Sequence, residues 1–254
     1  MTELILLDVF SYSCMNCLRS LNYIKKIDDR YKKIGLKTIL VHPPEWEFEE
    51  YGDNILYATK KYKIKFPIII DKNKKIIKRL NVNFWPTQIL IRNGRILYKH
   101  IGEGNYKKLE SAIIKNLDIR SRNIFKKEPK YSKYLTVYCG KRKNGKVLKK
   151  LTDKLKFGAI YINDNWTQKQ EYIKSLKNKS SLKILTKGNK VNFVAESLTK
   201  KSINITIILN DKIYKKLIIN RPKLYNLTIL KDNKHNKLTI ISQKNLAVYS
   251  FSFQ

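Results

Sequence analysis

Length and composition bound the problem: 254 residues, 43% hydrophobic and 29% charged, argue one large or two modest globular domains and exclude a disordered chain. No apolar run approaches the roughly 18 residues of a membrane span, residues 1–8 have no basic leader, and three cysteines are too few for a disulfide scaffold. The net charge of +34 comes from 45 Lys and only 9 Arg in a chain rich in Ile (34) and Asn (23) and poor in Ala (5), the pattern of A/T-rich codons; a nucleic-acid groove would favour arginine.

Residues 4–10 are an apolar run of strand length. Residues 15–34 carry Leu18, Leu21, Ile24, Ile27, Tyr31 and Ile34 at a 3–4 spacing, which predicts an amphipathic helix stopped by Gly35. A second strand is expected over 36–42, a break at Pro43-Pro44, and a helix over 46–62. The acidic start of that helix (Glu45, Glu47, Glu49, Glu50) and its basic end (Lys60, Lys61, Lys63) suit the helix dipole. A strand over 67–71 and a short helix over 74–80 follow. Residues 87–91 and 95–101 flank Asn93-Gly94, a strong hairpin signal, and 105–117 form a last helix. The order β-α-β-α-β-α-β-β-α predicts an α/β sheet ending in an antiparallel hairpin.

After a polar, basic stretch over 120–133 the pattern changes. Residues 134–139, 157–162, 182–185, 191–195, 203–209, 213–219, 224–230, 237–241 and 247–253 are short, β-branched or aromatic, and separated by turn residues. They predict an all-β sandwich, with the domain boundary near residue 127. Residues 126–254 carry 30 basic and 7 acidic side chains, against 24 and 13 in residues 1–125, so attraction to anionic surfaces is expected of the second half. Its acids are dispersed, without the carboxylate pair of a glycosidase, and no catalytic residue is expected there.

Cys14-Met15-Asn16-Cys17 sits between the first strand and the first helix. A cysteine at a helix N-terminus faces unpaired N–H groups and the positive end of the dipole, which favour thiolate. The second lies one turn on, close enough to close an easily reduced disulfide, so Cys14 is expected to attack and Cys17 to resolve. A metal half-site would need two further ligands, and Cys139 and three scattered histidines offer no second pair. Asp8 precedes Cys14 by six residues inside an apolar strand; buried there, its pKa would rise and it would relay a proton with Cys17. The alternative is a strand-edge Asp facing water. Pro86 follows Trp85 and opens a strand: a cis-proline would shape a substrate groove beside the dithiol, and a trans-proline would merely start the strand.

Together these residues resemble the thioredoxin superfamily, and most closely its redoxin, TlpA-like branch as found in DipZ-type proteins. Phe10-Ser-Tyr-Ser-Cys14-Met-Asn-Cys17-Leu-Arg19 is similar to that branch's Phe-Trp-Thr-Tyr-x-Cys-x-Asn-Cys-Leu-Arg. Val41-His42-Pro-Pro-Glu45-Trp-Glu-Phe48-Glu49, Phe84-Trp85-Pro86-Thr87 and Gly102-Glu103-Gly104-Asn-Tyr106 have counterparts there too. The second half resembles the C-terminal jelly-roll domain of the same proteins, a relative of carbohydrate-binding modules, with Trp166, Tyr225 and the end Ala247-Val-Tyr-Ser-Phe251-Ser-Phe253 in place. The family's usual Trp after Phe10 is missing, and Tyr12 is expected to shield the dithiol in its stead.

The resemblance implies a thioredoxin-like redox domain over 1–127 and a β-sandwich domain over 128–254. It implies a thiol–disulfide oxidoreductase with Cys14, Cys17 and Asp8 as catalytic residues and a substrate groove formed by Trp85, Pro86, Thr87 and Tyr12. No cofactor or metal is expected. The partners are a protein disulfide and an electron-donating reductase or membrane thiol transporter; nucleic acid is not obligatory, and the sandwich has an anionic or glycan ligand as its candidate. With no leader or span in the sequence the expected location is the cytoplasm, with an extracytoplasmic place beside a membrane partner as the alternative. The competing function is a binding module whose basic sandwich engages a glycan, an acidic protein or nucleic acid while the dithiol merely staples a loop.

Other residues carry two readings each. Cys139 is expected as a small buried hydrophobe or a regulatory thiol. His42 packs against its loop or tunes the cysteines, and Glu103 makes a tight turn or lines the groove. Tyr138, Trp166 and Tyr225 belong to the core or to a sugar platform. The lysine runs 72–78 and 141–150 are expected as solvated surface and a β-turn.

Overall fold

The computed structural model describes residues 3–125, 136–199, 201–229 and 235–254. The chain divides into two compact units, Met1–Tyr131 and Ser132–Gln254. The boundary expected near residue 127 lies outside the described residues.

Unit 1 is one five-stranded sheet with helices. Its elements are β1 (Leu4–Val9), α1 (Met15–Tyr31), β2 (Leu36–His42), α2 (Gly52–Lys61), β3 (Ile68–Ile70), α3 (Lys75–Arg79), β4 (Thr87–Arg92), β5 (Arg95–Ile101) and α4 (Tyr106–Leu117). The sheet order is β3-β2-β1-β4-β5. β1 lies in the middle, parallel to β2 and antiparallel to β4. α1 buries Cys17, Ser20, Leu21, Ile24, Ile27, Asp28 and Tyr31, a single stripe at helical spacing. α3 contributes Ile77 to an apolar cluster with Val9, Val41, Val82 and Ile89. Gly35, at φ +108, turns the chain from a 3-10 turn (Lys32–Ile34) into β2, a conformation that glycine adopts without a Cβ penalty.

One expected helix is interrupted. Residues 46–62 hold a 3-10 turn (Glu47–Glu50), an extended Tyr51 (φ −86, ψ 123) and then α2. The cause is Glu49, whose side chain turns inward and takes up N–H and hydroxyl donors from neighbouring loops instead of solvating a helix N-terminus. The first turn of α2 therefore has Asp53 alone as its acid.

Unit 2 is a sandwich of two sheets. Its strands are β6 (Val137–Tyr138), β7 (Val147–Leu148), β8 (Ile160–Ile162), β9 (Trp166–Gln168), β10 (Ile173–Ser175), β11 (Ser180–Thr186), β12 (Lys190–Ser197), β13 (Ile203–Leu209), β14 (Lys212–Ile219), β15 (Lys223–Ile229), β16 (Asn236–Ser242) and β17 (Leu246–Phe253). One sheet runs β15-β12-β17-β10-β9 with β6 also on β17, the other β14-β13-β16-β11-β8-β7. Strands β10 to β13 and β14 to β17 alternate between the sheets, a jelly-roll-like course. The core between them joins Phe193, Val248 and Phe251 of the first sheet to Leu182, Ile205, Ile207 and Ile240 of the second. Three strands were not expected: β7, inside the lysine run 141–150, and the three-residue β9 and β10. Trp166 and Tyr225 are core residues rather than a sugar platform. Tyr138 is half-buried, with Lys143 Nζ 4.8 Å from its ring centre.

Candidate active site

Three loops meet at one end of the first sheet. β1 and β2 are parallel, with Val9 opposite Val41, and β4 is antiparallel, with Val9 opposite Thr87. The register sets the loop after β1 (residues 10–14), the loop after β2 (43–51) and the loop before β4 (84–86) side by side. The carboxyl ends of parallel strands are where α/β folds build their sites.

Cys14 is the N-cap of α1, extended at φ −80 and ψ 118; Leu18 N–H donates to its carbonyl at 3.0 Å. Both cysteines are free thiols, Cys14 half-buried and Cys17 buried. They lie close enough to hydrogen-bond. Burial pushes the Cys17 thiol well above its usual range, the Cys14 sulfur adds to the rise, and the charge of Asp8 contributes. Asp8 is wholly buried on the central strand, which removes the water-facing alternative. Burial raises its carboxyl from 3.8 to about 7, against the pull of Gln88 Nε2, which donates to Oδ1 at 2.9 Å. Gln88 Nε2 also reaches Ser20 Oγ at 3.2 Å, tying β4 to α1 behind the cysteines. Among the described residues Asp8 Oδ2 has no hydrogen-bond partner, an opening for a proton to come and go.

The Trp85–Pro86 peptide is cis. Pro86 carbonyl accepts from Gly102 N–H at 2.8 Å, and Thr87 Oγ1 donates to Phe84 carbonyl at 2.7 Å. Of the four expected groove residues only Trp85 is half-exposed; Pro86 is buried beside the cis peptide, and the other two do not face a groove. Thr87 is buried in that turn, and Tyr12 is buried between His42 and Phe48, with ring centres 5.5 and 6.2 Å away and its hydroxyl donating to Phe48 carbonyl at 3.3 Å. Both support the surface from beneath. Phe84, 69% exposed, is the apolar surface the sequence did not single out.

His42 is buried and packs against its loop: Nδ1 lies 2.9 Å from Phe10 carbonyl and Nε2 3.3 Å from Glu49 carbonyl. The Gly102-Glu103-Gly104 turn has both glycines at φ +95, while Glu103 takes a two-pronged ion pair from Arg19 of α1, both contacts 2.7 Å. Cys139 is buried in unit 2, its thiol pushed up by burial, as expected of a small hydrophobe. Gln88, Ser20 and Glu49 were missed as site residues. A signal existed for Gln88, a polar residue inside an otherwise apolar strand. Among the described residues, no group of three or more His, Cys, Asp and Glu side chains could hold a metal.

Comparison with known proteins agrees with this architecture. The Redoxin family matches residues 3–115, and the family described as Thioredoxin like C-terminal domain matches residues 140–253. Protein DipZ of Mycobacterium tuberculosis is 31% identical over 112 residues, 44% of this chain and 16% of DipZ. NHL repeat-containing protein 2 of Homo sapiens is 34% identical over 109 residues, 42% of this chain and 15% of that protein. Thiol-disulfide oxidoreductase ResA of Bacillus cereus is 32% identical over 103 residues, 40% of this chain and 57% of ResA. The matched region thus spans about a sixth of the first two relatives. The Redoxin match over the dithiol unit and the thioredoxin-like C-terminal match over the sandwich together support a redoxin, TlpA-like member of the thioredoxin superfamily.

Proposed function

We propose that the protein is a thiol–disulfide oxidoreductase acting on protein disulfides through Cys14 and Cys17. The observation that carries this reading is the pairing of a half-exposed N-cap thiol with a buried one whose neighbour is a buried carboxyl. Cys14 thiolate attacks a substrate sulfur, forms a mixed disulfide and releases the other substrate sulfur, which takes up a proton. Cys17 cannot ionise unaided in its buried setting, and Asp8, with a pKa about 7, is matched to accept its proton. Cys17 then attacks Cys14 Sγ, the second substrate thiol departs, and the enzyme holds the disulfide. Two electrons and two protons have passed to the substrate, and a dithiol reductase or membrane thiol transporter restores the dithiol.

Trp85 and the exposed Phe84, set in place by the buried cis-Pro86, form the surface along which a protein substrate lies. The sandwich has the part of holding that substrate or an anionic or glycan-bearing partner. The test is insulin reduction with a dithiol reductant: Cys14→Ser should abolish turnover and Cys17→Ser should trap the mixed disulfide. Wild-type rates from Cys14→Ser would overturn the reading.

A further inference from the structure

Glu49 is a wholly buried carboxylate beside the dithiol loop that the proposed chemistry does not use. Its Oε1 accepts from Ser11 Oγ at 2.7 Å, Ser13 Oγ at 2.6 Å and Ser13 N–H at 3.2 Å. Its Oε2 accepts from Glu45 N–H at 2.7 Å, and Glu45 Oε2 in turn accepts from Trp85 Nε1 at 3.3 Å. One side chain thus fastens the turn that ends at Cys14 and, through Glu45, reaches the loop that carries Pro86.

The arrangement is costly. A carboxylate removed from water demands compensation, and four donors from three residues supply it. All four point at Glu49, three at Oε1 and one at Oε2, so the carboxyl group serves its neighbours as an acceptor. Burial raises its pKa; the electrostatic influence of neighbouring His42, Ser13 Oγ and the Glu45 N–H oppose the rise, while the Glu45 carboxyl adds to it. A loop that needed only to be covered would be covered more cheaply by an apolar residue. What a multi-pronged acceptor gives instead is geometry, because the two oxygens fix two loops relative to each other.

We infer that Glu49 is a positioning residue that sets the Cys14 turn in register with the Trp85–Pro86 loop, so that a protein disulfide laid along Phe84 and Trp85 presents its sulfur to Cys14. The inference rests on the oxidoreductase reading. A small disulfide needs only Cys14 and is indifferent to the second loop. A macromolecular one needs both, and a displacement of about 1 Å between them is enough to cost it about a hundredfold in rate. Glu49 is therefore a determinant of preference for protein over small disulfides.

The discriminating variant is Glu49→Gln. Glutamine has the same shape, but whichever oxygen site receives its amide nitrogen, a donor then meets a donor: Ser13 N–H on one side or Glu45 N–H on the other. The full chain is assayed with insulin and with a small aromatic disulfide, wild type and variant side by side. Insulin kcat/KM should fall at least tenfold while the small disulfide stays within about threefold. Equal losses on both substrates, or no loss on either, would overturn the inference and leave the oxidoreductase reading standing. A wild type inactive on both substrates would instead remove that reading and this inference with it. Should Glu49→Gln not fold, Ser11→Ala with Ser13→Ala removes two hydroxyl donors while retaining Ser13 N–H. That double variant should show the same insulin-selective loss at smaller size, and an equal loss on the two substrates would overturn the inference.

Discussion

Replacing Asp8 with Asn should make the protein more stable at alkaline than at acidic pH relative to wild type, because the native carboxyl is buried with one oxygen unpaired. Its pKa stands at about 7 in the folded chain against an ordinary value of 3.8. The folded state therefore holds a proton that the unfolded state has released, and stability falls as pH rises between those two values. Below 3.8 both states are protonated and nothing is lost; above about 7 the full penalty is present. At about 1.4 kcal/mol per pH unit the total is about 4 kcal/mol, of which about 3 kcal/mol falls between pH 4.5 and 8.5. Asn keeps the acceptor for Gln88 but sets an unpaired amide where Oδ2 was, an offset of about 1–3 kcal/mol that does not vary with pH. The pH dependence of the difference is thus the diagnostic quantity. Urea unfolding of both proteins at pH 4.5 and 8.5 measures it. A difference that is flat within about 0.5 kcal/mol, or that moves against Asn as pH rises, would refute the burial argument.

Native alkylation with iodoacetamide at neutral pH should add one adduct, on Cys14, since Cys17 and Cys139 are buried with raised pKa values, and three after unfolding; intact mass counts them, and early labelling of Cys139 would contradict its placement. Gly145→Ala should destabilise unit 2 by about 2–3 kcal/mol, because a Cβ there would lie 2.6 Å from Cys139 carbonyl carbon and 2.7 Å from Tyr138 carbonyl oxygen. An unchanged thermal transition would refute the tight closure of that loop.

Much of this architecture is legible residue by residue. β2 and β13 fall on their expected bounds because turn residues bound both and, in β13, apolar residues alternate with polar ones at the strand period. Cys14 is legible as a helix cap, since the strand before it and the periodic stripe after it leave only that place. The short strands β7, β9 and β10 are not, because two or three residues carry no period, and β10 takes its second partner, β17, from far along the chain. Glu49 was hidden by its company. In the run Glu45 to Glu50 four carboxylates suit a helix start, and nothing local tells which one turns inward. That choice is made by Ser11 and Ser13, some 36 residues earlier. Asp8 and Gln88 are the contrary case, polar residues inside apolar strands, where the conflict itself marks the site.

The inward-turned acids have an effect at long range. Asp8, Asp28, Glu45, Glu49, Asp71 and Glu110 are all buried, six of the thirteen acids in residues 1–125. Asp71 caps Ile76 and Ile77 N–H groups, and Glu110 receives Tyr31 hydroxyl and Ile124 N–H. Carboxylates engaged in this way offer no free oxygen to an incoming partner, so the exposed face presents its lysines with fewer acids beside them than the residue count suggests. At low ionic strength such a molecule adheres to any polyanionic matrix and repels its own copies. That adhesion is diffuse and fades once the Debye length falls below about 10 Å, near 0.1 M salt. Retention that survives moderate salt is therefore the mark of a specific anionic partner, and retention that does not is the signature of acids folded inside.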